Sequence, residues 1–358
     1  YNVAVGHNSG VTLTTGIKNT FIGGLSGDAT TDADFNVGVG HNTLTTNVLG
    51  SRSVAVGYTA LEAQNPASAV DMYNTAVGHA AGFAVTTGTE NTLIGGAAGD
   101  ALTTANANTA VGRLTLTNET SANGSTAIGS EALKNQNVGG GGDARNTAVG
   151  LLAGVNISTG VKNVILGSRA GDALTDADSN IAIGESALST DTLGSKSVAI
   201  GDSALYTQNF TSATDTYNVA VGFSAGNGIT TGVNNTLIGG RAADALTTGF
   251  NNTAVGEEAL SADTRGNRNT AIGVAALANQ NFTSDTDSNN TAVGSRAGVE
   301  VTTGINNTLI GASTGDALTD ADANVAVGVG ALGADTLGSK TVAIGMNALE
   351  TQNMGSAT

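Results

Sequence analysis

The chain of 358 residues sets 29 acidic against 13 basic side chains and has no Cys. Disulfides and thiolate metal sites are excluded, and nucleic acid and anionic membrane surfaces, which reward clustered positive charge, are poor partners. Hydrophobic residues make up 40% but aromatics only 3%, with 52 Gly, so the core must be built of thin aliphatic layers. No apolar run reaches the roughly 18 residues of a membrane span, and no basic-then-apolar leader opens the chain. Beginning at Tyr1 and stopping within a motif at Thr358, it reads as a segment of a longer protein.

From the N-terminus the first predicted element is the strand in "VAVG", ending at Gly6, and the next is "TFIG", ending at Gly23. "NTAVG" and its relatives then close at Gly40, Gly57, Gly78, Gly95, Gly112 and Gly129, and so on to Gly345. Counted from glycine to glycine, the steps are 17, 17, 17 and 21, repeated without error. They make about twenty turns in five super-repeats of about 72 residues each. The approximate bounds are 2-73, 74-145, 146-217, 218-289 and 290-358, within one continuous domain, 1-358. Such strict self-similarity predicts a solenoid. Period-two alternation and β-branched residues make it all-β, a parallel β-solenoid. At about 4.8 Å per turn, twenty turns would span about 95 Å.

Within each motif the residues one and three before the glycine are aliphatic or Thr (Val5, Ile22, Val39, Val56), and they are expected to face the interior. The residue two before is Ala in most turns, with Phe21, Leu93, Ile165, Leu237 and Leu309 at one site per super-repeat. The resulting small-residue stripe is expected to lie outside as a packing face. On that reading Ala110→Lys or Ala254→Lys blocks assembly and Val111→Asp unfolds the turn. After the glycine, further aliphatics enter by two routes. In the last two turns of a super-repeat it is the fourth residue (Leu116, Leu133), and in the first two it is the seventh (Val85, Leu102). "TTG" bends such as Thr86 to Gly88 should use Gly for its unusual backbone conformation. The four extra residues of every fourth turn fall in "QNPASAVDMYN" and its equivalents, expected to bulge as a row of variable loops.

The recurring "NTAVGxxAL", "SVAIG" (Ser197 to Gly201) and "TTGxxNTLIG" resemble the head repeats of YadA-like trimeric autotransporter adhesins and the repeats of phage tail-fibre proteins. The resemblance covers the whole chain. It implies a left-handed β-roll, three chains packed side by side as a homotrimer, and an extracellular rod or adhesive head. The setting implied is a virion tail fibre or a bacterial cell surface, with a host-surface glycan or protein receptor as the further partner and no membrane contact within this segment. The turn length, 17 or 21, is greater than is common in such heads. A hexapeptide helix needs turns in multiples of six, and the calcium-binding nonapeptide roll needs its own nine-residue signature, so neither fits.

Three features invite chemistry. The Asn that opens most motifs (Asn2, Asn19, Asn36, Asn74, Asn91 and onward) should stack into an amide ladder. The acidic runs "DATTDAD" and "DALTDAD" place Asp28, Asp32 and Asp34, then Asp172, Asp176 and Asp178, then Asp316, Asp320 and Asp322, as hard-oxygen candidates for Ca2+, with no other cofactor expected. The three histidines, His7, His41 and His79, each follow a motif glycine and read as surface residues. No nucleophile, base and orienting partner interrupt the repeat, so no catalytic residue and no enzyme is expected. A polysaccharide-degrading β-helix would need aromatic platforms and interrupting carboxylates. The alternative function is a single-chain ice-binding or filament-forming solenoid using rows of Thr, such as Thr75, Thr92, Thr109 and Thr126. Val or Ile at nine of the twenty positions of that row suits an interior better.

Overall fold

The computed structural model describes residues 1–355 and contains, among them, strands and turns but no helix. It is a parallel β-solenoid of about twenty turns. Two compact units divide it, Tyr1–Ser179 and a second that begins at Asn180, and each carries ten three-residue motif strands. In the first unit these run from Val3–Val5 to Val164–Leu166, and in the second from Ile181–Ile183 to Val342–Ile344. Pairing is parallel in the register that the glycine spacing dictates, with Thr75 opposite Thr92, Ala76 opposite Leu93 and Val77 opposite Ile94.

The strands alternate as expected, but with the faces exchanged. Ala76, Ala110, Ala127 and Ala254 are fully buried, whereas Ile94 and Ile128 are 39% and 38% exposed. The residue three before the glycine, Thr or Val, is half-buried on the same outer side in most turns. The Asn at the head of the motif is the cause. Its side chain is buried and crosses the turn to a carbonyl 14 residues on, so the residue two positions later shares its inward face. The Ala stripe is therefore core. Lys at Ala110 would bury an unpaired charge and unfold the turn, and Val111 is an outward position.

Both predicted routes for the aliphatic side chains are present. Successive turns bury Ala76, Ala81 and Val85, then Leu93, Ala98 and Leu102, then Ala110, Thr115 and Leu116, then Ala127, Ala132 and Leu133, none more than 1% exposed. Leu116 and Leu133 adopt left-handed backbone (φ 49° at both), which costs about 1–2 kcal/mol per residue. Full burial of a Leu side chain, about 1.5–3 kcal/mol, offsets it. The other route shows size complementarity between layers. A Cβ on Gly82 would lie 2.7 Å from Leu93 Cδ1 and 2.9 Å from Leu61 Cδ2, so the large residue two before Gly95 takes the room that the fourth-position Leu fills elsewhere.

The motif glycine is required twice over. Gly78 has φ +142°, and a Cβ there would stand 2.3 Å from the carbonyl oxygen of Gly95, the next rung. The "TTG" glycine differs from expectation. Gly88 does not adopt positive φ, and what excludes a side chain is close approach, 2.3 Å from its Cβ position to the Ala105 oxygen.

Candidate functional site

The Asn ladder is buried and structural. Asn74 Oδ1 accepts from the backbone N–H of Asn91 at 3.0 Å, while Asn91 Nδ2 donates to the Ala105 carbonyl at 2.8 Å. The same pair of bonds recurs at Asn108 and Asn235. Each amide thus ties one turn to the next and one wall of a turn to the other. Direct amide contacts, such as Asn91 Nδ2 to Asn74 Oδ1 at 3.2 Å, are secondary to these backbone bonds.

Every fourth turn carries its loop outward, and residues 67 to 71 are all exposed. What holds the loop was not foreseen. The third turn of a super-repeat places Asn47, Glu119, Asp191, Asp263 or Asp335 seven positions after its glycine, fully buried, and the next turn places a Gln above it. Gln280 Nε2 donates to Asp263 Oδ2 at 2.6 Å, and Gln136 Nε2 to Glu119 Oε2 at 3.0 Å. The other oxygen of Asp263 accepts from the N–H groups of Gly266 (2.9 Å), Arg265 (3.2 Å) and Phe282 (3.4 Å), the last being the first apolar residue of the loop. Burial pushes the Asp263 and Asp191 carboxyls above the ordinary range, and the hydrogen bonds from Gln and backbone oppose that shift. Outside, Arg268 bridges to Asp287 and Arg52 to Asp71. An acid followed one turn later by "QN" was the available signal; it was overlooked because acids in a Gly-rich repeat read as solvated.

The acidic runs serve neighbouring turns. Asp32 accepts from the Thr15 hydroxyl, Asp176 from Thr159 (2.6 Å) and Asp320 from Thr303 (2.6 Å). Asp34, Asp178 and Asp322 accept from the N–H groups of Ile17 (2.7 Å), Val161 (2.8 Å) and Ile305 (2.8 Å). Asn106 does the same for Thr89 at 2.8 Å, which explains why the second super-repeat replaces the acid with an amide. Asp28 Oδ1 is buried without a partner, Asp172 accepts from Asn156 through its carbonyl, and Asp316 lines an open hollow with Ser313 and Glu350. Among the described residues no three acidic or His side chains converge as a metal-holding group.

Of the histidines, His41 and His79 join a column that sequence reasoning did not assemble. Tyr58 lies between them, its ring centroid 5.8 Å from His41 and 5.5 Å from His79, with interplanar angles of 15° and 17°. Their shared place, each immediately after the motif glycine of successive turns, was its signal. A second column of rings and cations stacks Lys18, Phe35, Arg52 and Tyr73. Among the described residues no helix is long and apolar enough to cross a membrane. A scan against protein-family models matches none of them, and a search of curated proteins finds no match to the chain.

Proposed function

We propose that this chain is the structural shaft or head of an extracellular trimeric fibre that mediates surface attachment, as a phage tail fibre or a bacterial adhesin. The observation that carries the reading is the outer face of the motif strands. The residue before each motif glycine is Val, Ile or Leu in every turn, and Ile22, Val77, Ile94, Ile128 and Leu166 are 36% to 45% exposed. That aliphatic column runs beside an outward column of Thr or Val, and a strip about 10 Å wide over ten turns of about 4.8 Å gives each unit a face of about 480 Å², about half of it aliphatic. A patch of that size is on the scale of the largest on a typical monomer, which is often functional. Two such strips in contact cover about 1,000 Å², the scale at which specific contacts become stable. A flat, periodic strip of paired Thr and aliphatic rungs fits an identical strip, so the occupant is a second and third copy of this chain. The fibre supplies reach and stiffness, and repeated shallow contacts supply avidity.

Mass by analytical ultracentrifugation, with and without a calcium chelator, tests the reading. Three chains are expected, and Ile94→Asp combined with Ile128→Asp should give a folded monomer, since both positions point outward. A monomeric parent, or assembly unchanged in the variant, sinks the proposal. Dissociation by chelator alone would make the Asp runs metal sites.

One observation favours a second reading. Thr75, Thr92, Thr109, Thr126 and Thr147 form an outward row over five turns, where an interior row was expected. A single-chain ice-binding solenoid would use such a row, and a monomer with thermal hysteresis, abolished by Thr109→Lys, would select it.

A further inference from the structure

The column that follows the motif glycines reads His41, Tyr58, His79, Gly96 and Arg113 over five successive turns of the first unit. Its members stand one turn apart: the carbonyl of Tyr58 accepts from Ala80 N (2.9 Å), that of His79 from Ala97 N (2.8 Å) and that of Gly96 from Leu114 N (3.0 Å). Because the rings of Tyr58 and His79 stack along the turns, one face of His79 is covered and the other looks toward Gly96. A Cβ on Gly96 would meet nothing within 4 Å, so this rung is open. Beyond it lies Arg113, whose guanidinium donates to Glu131 at 3.0 Å. The levels of His79 and Arg113 are two turns apart, about 9.6 Å. That leaves room for one ring at about 4 Å from each side.

We propose that the open rung at Gly96 holds the ring of a pyranose sugar, with its apolar face on His79 and its hydroxyls on Arg113, which Glu131 holds from the following turn. A pyranose has one C–H face and a rim of hydroxyls, which matches an aromatic floor beneath a charged roof. An aromatic side chain could also stack between His79 and the Arg113 guanidinium, as Phe35 does against Arg52, but it brings no acceptors to that guanidinium, as sugar hydroxyls do. The second unit has a related open rung at Gly240, with the 57% exposed Phe223 one turn before it and a carboxylate, Glu257, in the place of Arg113 one turn after. The equivalent Gly24 is a natural control: the His41 ring comes within 3.2 Å of its Cβ position and closes the rung. The inference rests on the attachment reading and names where along the chain a ligand is held.

Saturation-transfer NMR of the whole chain tests it, with a panel of methyl pyranosides (neutral hexoses, an N-acetylhexosamine and a uronic acid) and with p-cresol as a mimic of a Tyr side chain. At least one pyranoside should saturate at millimolar concentration. Gly96→Leu with Gly240→Leu should weaken it at least tenfold, and His79→Ala should remove the contribution of the first rung. His7→Ala should change nothing. Both glycines have open space and neither has positive φ, so the filled variant folds. The proposal is overturned if no pyranoside saturates, if affinity survives the double Leu variant, or if p-cresol binds more tightly than every sugar. Ultracentrifugation of the same samples separates the failures. A trimer that binds no sugar loses this site and keeps the fibre, and a monomer that binds sugar keeps the site and loses the fibre.

Discussion

The long turns of the first and fourth super-repeats share a length and a Gln but are held differently. In the fourth, Asp263 gathers Gln280 Nε2 and three backbone N–H groups, and Phe282, 6% exposed, seals the loop. In the first, Asn47 occupies the place of the acid and returns both ends of its amide to Gly50, with Oδ1 accepting at 3.0 Å and Nδ2 donating at 2.7 Å. Gln64 Nε2 is left buried without a partner, and buried Pro66 and Met72 take up the apolar packing. The difference teaches that the carboxylate is there for its acceptor count. Two oxygens serve four donors, which an amide with one acceptor cannot do.

The largest way to break that comparison is Asp263→Ala, which orphans four donors at once. Each unsatisfied buried donor costs about 1–3 kcal/mol, so a loss of at least about 3 kcal/mol is expected in chemical denaturation. Loss below about 1 kcal/mol would show that water replaces the carboxylate. Phe282→Ala should cost about 3 kcal/mol by removing the seal, and Pro66→Ala in the first loop much less, in the same assay. Conversely, Asn47→Asp gives Gln64 its missing acceptor and should stabilise the chain by about 1 kcal/mol. A destabilised variant would mean that the Gly50 amide bonds dominate.

Acidity sharpens the same contrast. The folded carboxyls of Asp191 and Asp263 are raised by burial, so the stability they contribute is full below their unfolded value and is lost as pH rises through the raised folded value. Lowering the pH from neutral toward the ordinary carboxylate range should therefore raise the melting temperature of the parent relative to Asp191→Asn with Asp263→Asn. Parallel melting curves for the two across that range would refute the assignment. The smallest effects belong to the outer bridges. Arg268→Ala, which removes an exposed ion pair, should change stability by less than about 1 kcal/mol. Arg52→Ala should exceed it, because Arg52 also stacks on Phe35 and Tyr73.

Much of the fold was legible in the glycine spacing, because a solenoid turn must return to the same place after a fixed length of chain. The two aliphatic routes and the loop row could be read for the same reason, since each recurs at a fixed offset from the glycine. The candidate site was less legible. Asp191 and Asp263 look like solvated loop acids until Gln208 and Gln280 are seen one turn away. His41, Tyr58 and His79 look unrelated until the turns are stacked. In each case the partner lies a full turn away along the chain, and only the offset from the glycine, applied to side chains that vary, would have revealed it.

By itself the sequence determined the period, the parallel β-solenoid and the position of every turn along the chain. Only the tertiary structure decided which face of each strand is inside. Period-two alternation is unchanged when the two faces are exchanged, so residue pattern cannot set the phase. What sets it is the closure of the turn: a buried Asn must reach a carbonyl 14 residues away, and Ala on its side leaves room for the Leu side chains of the facing wall. The larger Val and Ile, which hydrophobicity alone would send inward, are left outside on a face of regular aliphatic rungs.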